Sequence, residues 1–125
     1  MILIDTSVWV DHFRVSEPRL VRWIAEDLVL THPFVIGEIS LGNFKRRSAV
    51  VEWFQDLTRV KRADDGEVLK LIESQHLYGT GIGFVDCHLL ASLRLTRATR
   101  LWTRDKRLNA AAEAMGVIVI AETQH

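Results

Sequence analysis

Ile2-Leu3-Ile4-Asp5-Thr6-Ser7 is the stretch whose reading decides the fold. Three apolar residues in succession, with no polar alternation, suit a strand covered on both faces. The run ends on an acid and two hydroxyl residues of the kind that cap a helix, so the strand passes directly into a helix from Ser7 to about Arg14. The same alternation continues along the chain. Pro18 to Asp27 predicts a second helix, with Leu20, Trp23, Ile24 and Leu28 at helical spacing, and Val29-Leu30 predicts a short strand. Thr31-His32-Pro33 starts a helix carrying Val35, Ile39 and Leu41, which weakens near Gly42. Ala49 to Leu57 and Asp64 to Leu77 are further amphipathic helices, with Val60 between them in a short strand. Gly79, Gly81 and Gly83 then break the chain before a helix from Phe84 to about Thr96. Leu101-Trp102 is a strand, Asp105 to Met115 a helix stopped by Gly116, and Val117 to Ile120 a last strand. Strands separated by helices need crossover connections. The expected fold is α/β: three layers, with a central, mainly parallel sheet flanked by helices.

The 125 residues fit a single domain, 1–125, with no repeat, linker or low-complexity segment and only two prolines. Hydrophobic residues at 48% and charged residues at 26% exclude a disordered chain. No apolar run approaches the roughly 20 residues that span a bilayer. The first residues lack a basic region and a cleavage site of the secretory type. Cys87 has no second cysteine to pair with, which agrees with a reducing compartment, so the expected location is cytoplasmic. A formal net charge of zero argues against coating nucleic acid by bulk charge, while leaving room for a local basic patch.

Four carboxylates fall where such a fold brings side chains together. Asp5 lies at the carboxyl end of the first strand, and Asp105 just past Leu101-Trp102-Thr103. Asp86 sits in the first turn of its helix, and Glu38 inside the helix that begins near Pro33. Singly, each has a structural explanation as a turn, cap or solvated residue. Together they pose an electrostatic problem, because unit charges about 4 Å apart repel by roughly 4 kcal/mol at an effective dielectric near 20. A hard divalent cation such as Mg²⁺ offsets that charge and supplies phosphodiester chemistry. The five histidines are dispersed, and none is assigned to catalysis.

Four segments carry a resemblance. They are Ile4-Asp5-Thr6-Ser7, Ile36-Gly37-Glu38-Ile39-Ser40-Leu41-Gly42, Gly83-Phe84-Val85-Asp86-Cys87-His88-Leu89-Leu90-Ala91-Ser92 and Leu101-Trp102-Thr103-Arg104-Asp105-Lys106-Arg107-Leu108. In this order they resemble the motifs of VapC-type PIN-domain toxins over nearly the whole chain. The resemblance implies a PIN fold and a Mg²⁺- or Mn²⁺-dependent endoribonuclease, the toxin of a type II toxin–antitoxin pair, inhibited by a VapB-like antitoxin and forming a homodimer. It implies Asp5 and Asp86 as principal metal ligands, Asp105 as a direct or water-mediated one, and Glu38 as the residue orienting water. The Thr103 hydroxyl would hold a carboxylate or water, as Thr6 and Ser7 could near Asp5. Cys87 departs from the small residue expected after the third acid and leaves the four acids intact.

The expected reaction is hydrolysis of an RNA phosphodiester by water that the carboxylate-held Mg²⁺ activates, leaving a 5′-phosphate and a 3′-hydroxyl. Arg104, Lys106 and the Lys45-Arg46-Arg47 cluster are candidate guides for the RNA backbone, with solvated surface or antitoxin contact the alternative for each. Trp23, Trp53 and Trp102 read as core or interface residues, and Trp9 as the tryptophan best suited to an antitoxin or dimer contact. Other readings of the acids stay open at this point. An aspartate-nucleophile phosphatase would want a second acid where Ser7 stands, and a phospho-acceptor receiver would want paired acids near the first strand. A PIN nuclease outside toxin systems, or a non-catalytic PIN module binding RNA or a partner, completes the set.

Overall fold

The computed structural model describes residues 1–122; the last three residues of the expected 1–125 domain lie outside the described residues. Its elements run β1 (Ile2–Ile4), α1 (Thr6–Arg14), α2 (Pro18–Ala25), β2 (Val29–Leu30), α3 (Pro33–Ser40), α4 (Arg47–Asp56), α5 (Asp65–Ser74), α6 (Phe84–Leu95), β3 (Arg100–Trp102) and α7 (Lys106–Ala114). The sheet is parallel, in the order β2-β1-β3. Ile2 pairs with Val29 and Arg100, Leu3 with Leu30 and Leu101, and Ile4 with Trp102. Successive strand residues face opposite ways, yet Ile2, Leu3 and Ile4 are all buried. Both faces of the central strand are therefore covered, which makes the three layers expected of its unbroken apolar run.

Because the strands are parallel, their carboxyl ends meet on one edge. Asp5 follows β1 there, and Thr103 and Asp105 follow β3. The Asp5 N–H donates to the Trp102 carbonyl at 2.9 Å, continuing the β1–β3 ladder past the strand end. Local chemistry sets the helix starts around this edge. His32 Nδ1 accepts from the Phe34 N–H at 2.9 Å and caps α3 just ahead of Pro33. Asp64 and Glu67 form a reciprocal capping box at the start of α5.

Val117–Ile120 does not form the expected last strand. It meets the sheet at one bridge, Leu101 with Val119, through Leu101 N–H to Ile118 O at 3.0 Å and Ile120 N–H to Leu101 O at 2.8 Å. Gly116, at φ 81°, turns the chain off α7, and the Arg19 guanidinium then draws the segment aside by donating to the carbonyls of Ala121 and Glu122. The short strand expected around Val60 is likewise a single bridge, Thr31 with Arg59.

Candidate functional site

Each of the four acids arrives on a different element. Asp5 is buried, and its Oδ2 accepts from Ser7 Oγ at 2.6 Å and from Thr103 Oγ1 at 2.8 Å. Thr103 Oγ1 also accepts from the Asp105 N–H at 3.0 Å, so one hydroxyl joins the ends of β1 and β3. Asp105 caps α7, its Oδ1 accepting from the N–H groups of Arg107 at 2.9 Å and Leu108 at 3.1 Å. Glu38, on α3, is held through Oε1 by the Thr6 hydroxyl at 2.8 Å. Thr6 thus serves Glu38, while Ser7 and Thr103 serve Asp5.

Asp86 stands in the first turn of α6, behind Gly83 at the N-cap. Burial pushes its carboxyl up to about 6, and the charges of Asp5, Asp105 and Glu38 push in the same direction against a lowering hydrogen bond from the Gly83 backbone. Three acids distant in sequence therefore act on the fourth. The donor set is oxygen-only, which suits a hard cation such as Mg²⁺ or Mn²⁺. Each bonded carboxylate also keeps an oxygen that no donor claims among the described residues: Oδ1 of Asp5, Oε2 of Glu38 and Oδ2 of Asp105. No three His, Cys, Asp or Glu side chains among the described residues already enclose a metal position.

The PIN-domain model matches residues 2–114. The chain belongs to the PIN-domain family. This PIN domain is 43% identical over 122 residues to ribonuclease VapC32 of Mycobacterium tuberculosis, in strains CDC 1551 / Oshkosh and ATCC 25618 / H37Rv, with 98% of either chain covered. Its relatives are thus VapC-type PIN ribonucleases. Two solved structures share the fold at 21% identity. A chain in the structure of FitAB bound to an IR36 DNA fragment aligns over 100% of both chains with a TM-score of 0.63. A chain of FitAcB from Neisseria gonorrhoeae aligns over 97% of each with a TM-score of 0.65.

The basic side chains around the PIN acids have distinct placements. Arg104 is engaged with protein carboxylates: Nη1 donates to Asp11 at 2.7 Å, Nη2 to Glu17 at 2.8 Å, and Nε lies 3.2 Å from Glu122. Burial works against its charge, but bonds to Glu17 and Asp11 and the charge of Glu122 outweigh it, so the guanidinium is held more firmly protonated than usual. This clamp was not legible in the sequence, where its partners lie 93, 87 and 18 positions away. Arg47 donates to the Ser40 carbonyl at the end of α3, and Arg46 occupies a left-handed N-cap at φ 58°. Lys45 and Lys106 are exposed. A cavity of about 570 Å³ adjoins Asp105 and Lys106 but touches none of Asp5, Glu38 and Asp86.

Trp9 is not a surface residue. It is 1% exposed, edge-on to Phe54 at 4.6 Å between ring centroids. Trp102 is buried with Trp23 edge-on against it at 5.5 Å, whereas Trp53 is 40% exposed. His32 and His88 are fully buried. Burial, with the charges of His88 and Arg62, lowers His32 to about 4, so it serves its capping role as a neutral acceptor.

Proposed function

We propose that this PIN domain is a Mg²⁺- or Mn²⁺-dependent endoribonuclease, the toxin of a type II toxin–antitoxin pair. It acts in the cytoplasm as a single domain, 1–125, assembled as a homodimer and inhibited by a VapB-like antitoxin. The observation that carries this reading is the convergence of Asp5, Glu38 and Asp105 on Asp86, whose carboxyl is raised to about 6 by burial first and then by their charges. Likeness to ribonuclease VapC32 over 98% of the chain supports it.

Asp5 and Asp86 are the principal ligands, with Asp105 beside them. When bound, the divalent cation would offset the acids' charge, make a water more acidic and steady the developing charge on the leaving oxygen. Ser7 and Thr103 fix the Asp5 carboxylate from one side, so that its other oxygen is presented in a single orientation. Glu38, held by Thr6, orients the attacking water for in-line approach to the phosphorus. Lys106 and Lys45 are the exposed cations nearest in sequence to Asp105 and to the end of α3, and they guide the RNA backbone. Arg46, and what Arg47 retains beyond its bond to Ser40, add to that guidance.

Purified protein with Mg²⁺ or Mn²⁺ should cut RNA to fragments with 5′-phosphate and 3′-hydroxyl ends, and EDTA should stop it. End-group mapping that found 2′,3′-cyclic phosphates would exclude this hydrolysis. No cleavage with either metal, together with no heat of metal binding in calorimetry, would leave the non-catalytic module as the better reading.

Cation affinity should also depend on pH in a definite direction. The cation takes the ionised form of Asp86, whose carboxyl is raised to about 6 before binding. Below that value a proton must leave first, so affinity should fall by up to about tenfold per pH unit. Above it the affinity should level off. Calorimetric titration with Mn²⁺ between pH 5 and 7.5 measures this, and a flat profile would remove Asp86 from the ligand set.

A further inference from the structure

A second cavity lies away from the acids. It measures about 470 Å³ and is lined by Arg94, Arg97, Arg100 and Thr99, together with Gly116 and Ile118. Arg94 is in the last turn of α6, whose first turn holds Asp86, a separation of about 12 Å along the helix axis. Arg100 opens β3 at its amino end, whereas Asp105 lies beyond its carboxyl end. The arginines therefore occupy the pole of the fold opposite the candidate site.

The lining contains three guanidinium groups and no carboxylate. Among the described residues, none of the three guanidiniums donates a hydrogen bond to the protein or lies within an ion pair. Arg104 shows the contrast, since it is surrounded by three acids. Favourable interaction with the carboxyl end of α6 accounts for Arg94 alone. The other two are set by the turn between α6 and β3, where Ala98 takes a left-handed φ of 54°. Non-glycine residues seldom adopt that conformation, and here it brings Arg97 and Arg100 to the same cavity as Arg94. A protein-docking patch would be centred on apolar residues with charge at its rim. This cavity has two exposed apolar residues, the small Ala98 and Ile118, while Leu93 is buried and Val117 half-buried. Unpaired guanidinium forks match phosphate oxygens in pairs.

We propose that the Arg94–Arg97–Arg100 cavity is a phosphate-binding exosite that holds the RNA backbone at the pole opposite the four acids. It rests on the ribonuclease reading, because it is the RNA substrate that spans the two. Only an RNA long enough, or folded so as, to pass around the molecule engages both places. The exosite thereby selects large folded RNAs over short strands.

The test compares the full chain with its Arg94→Gln/Arg97→Gln/Arg100→Gln variant, and with Arg14→Gln/Arg22→Gln/Arg59→Gln as a charge-matched control. Binding is measured in EDTA, so that it is read without cleavage, against a folded RNA of transfer-RNA size and an eight-nucleotide strand. The exosite variant should bind the folded RNA at least tenfold more weakly. Its slope of log affinity against log salt should be shallower by about two, roughly 0.7 for each lost phosphate contact. The short strand should bind both proteins alike, and the control should match the parent. An Arg→Lys triple variant should keep most of the salt slope while losing part of the affinity, which separates a lost contact from a damaged fold. With Mg²⁺ present, the exosite variant should show a raised KM on folded RNA and an unchanged kcat. Equal weakening by the control, equal weakening on the short strand, or a parent protein without affinity for folded RNA would each overturn the exosite. Binding that behaves as expected without any cleavage by the parent would retain the exosite and discard the nuclease reading instead.

Discussion

Asp86→Asn is expected to reduce RNA cleavage by roughly 10³-fold or more, the scale seen when a group that works as part of a unit is removed, while making the cation-free protein more stable. The two effects share one origin. In the folded protein the Asp86 carboxyl is raised from 3.8 to about 6, by burial first and then by Asp5, Asp105 and Glu38. A folded-state value above the unfolded one means that the ionised group opposes folding. The penalty is absent below about pH 3.8, grows as pH rises to about 6 and is constant above that. A rise of that size corresponds to about 3 kcal/mol at most. Because the carboxyl is only half-buried, solvent screening brings this nearer to about 1 kcal/mol.

Asparagine keeps the shape and removes the charge. The variant's melting temperature without divalent cation should therefore exceed the parent's by about 4 °C at pH 7.5, and the gap should shrink at pH 4.5. Adding Mg²⁺ or Mn²⁺ should reverse the order, because the parent gains ligand stabilisation that the variant lacks. Melts that showed equal destabilisation of the variant with and without cation would sink the account of Asp86 as one of a set of repelling ligands.

How much of this was legible in the sequence depends on the range of the interaction. Ile2-Leu3-Ile4 identified the buried central strand because burial on both faces leaves no polar alternation, and the structure buries all three residues. Pro33 and Gly116 marked helix ends because caps and breakers act within a turn of themselves. The positions of Asp5 and Asp105 followed from strand direction, since parallel strands expose their carboxyl ends on one edge. Which hydroxyl serves which acid did not follow. Thr6 and Ser7 are neighbours, yet one reaches across to Glu38 and the other folds back on Asp5. The last strand was misread for a related reason. Val117-Ile118-Val119-Ile120 has the composition of a strand, but Arg19 holds the residues just beyond it, and only one bridge to Leu101 forms. Arg104 looked like a nucleic-acid contact because the acids that claim it come from α1, the loop after it and the end of the described chain.

Trp9→Ala is expected to cost about 3–5 kcal/mol of folding stability, the range for removing a large aromatic side chain from a core. That is a large part of the roughly 5–15 kcal/mol that holds an ordinary domain together. Helix α1 carries Val8, Trp9, Val10 and Phe13, so apolar residues spread over more than one of its faces, and periodicity does not say which side meets the core. The structure assigns Val8 and Trp9 to the interior and leaves Val10 47% exposed. Around Trp9, Phe54 and Trp53 stand edge-on at 4.6 Å and 5.9 Å, and Phe13 stacks at 6.2 Å. An alanine there would leave a cavity against rings too rigid to collapse into it. Trp9→Phe should behave differently. The indole Nε1 is buried with no hydrogen-bond partner among the described residues, so phenylalanine removes an unsatisfied donor, a gain of roughly 1–3 kcal/mol that offsets most of the lost contact area. Urea midpoints of the two variants decide the matter: a steep loss for alanine with a near-parental phenylalanine marks a core residue. A parental midpoint for Trp9→Ala, combined with weakened self-association or antitoxin binding, would instead return Trp9 to the surface.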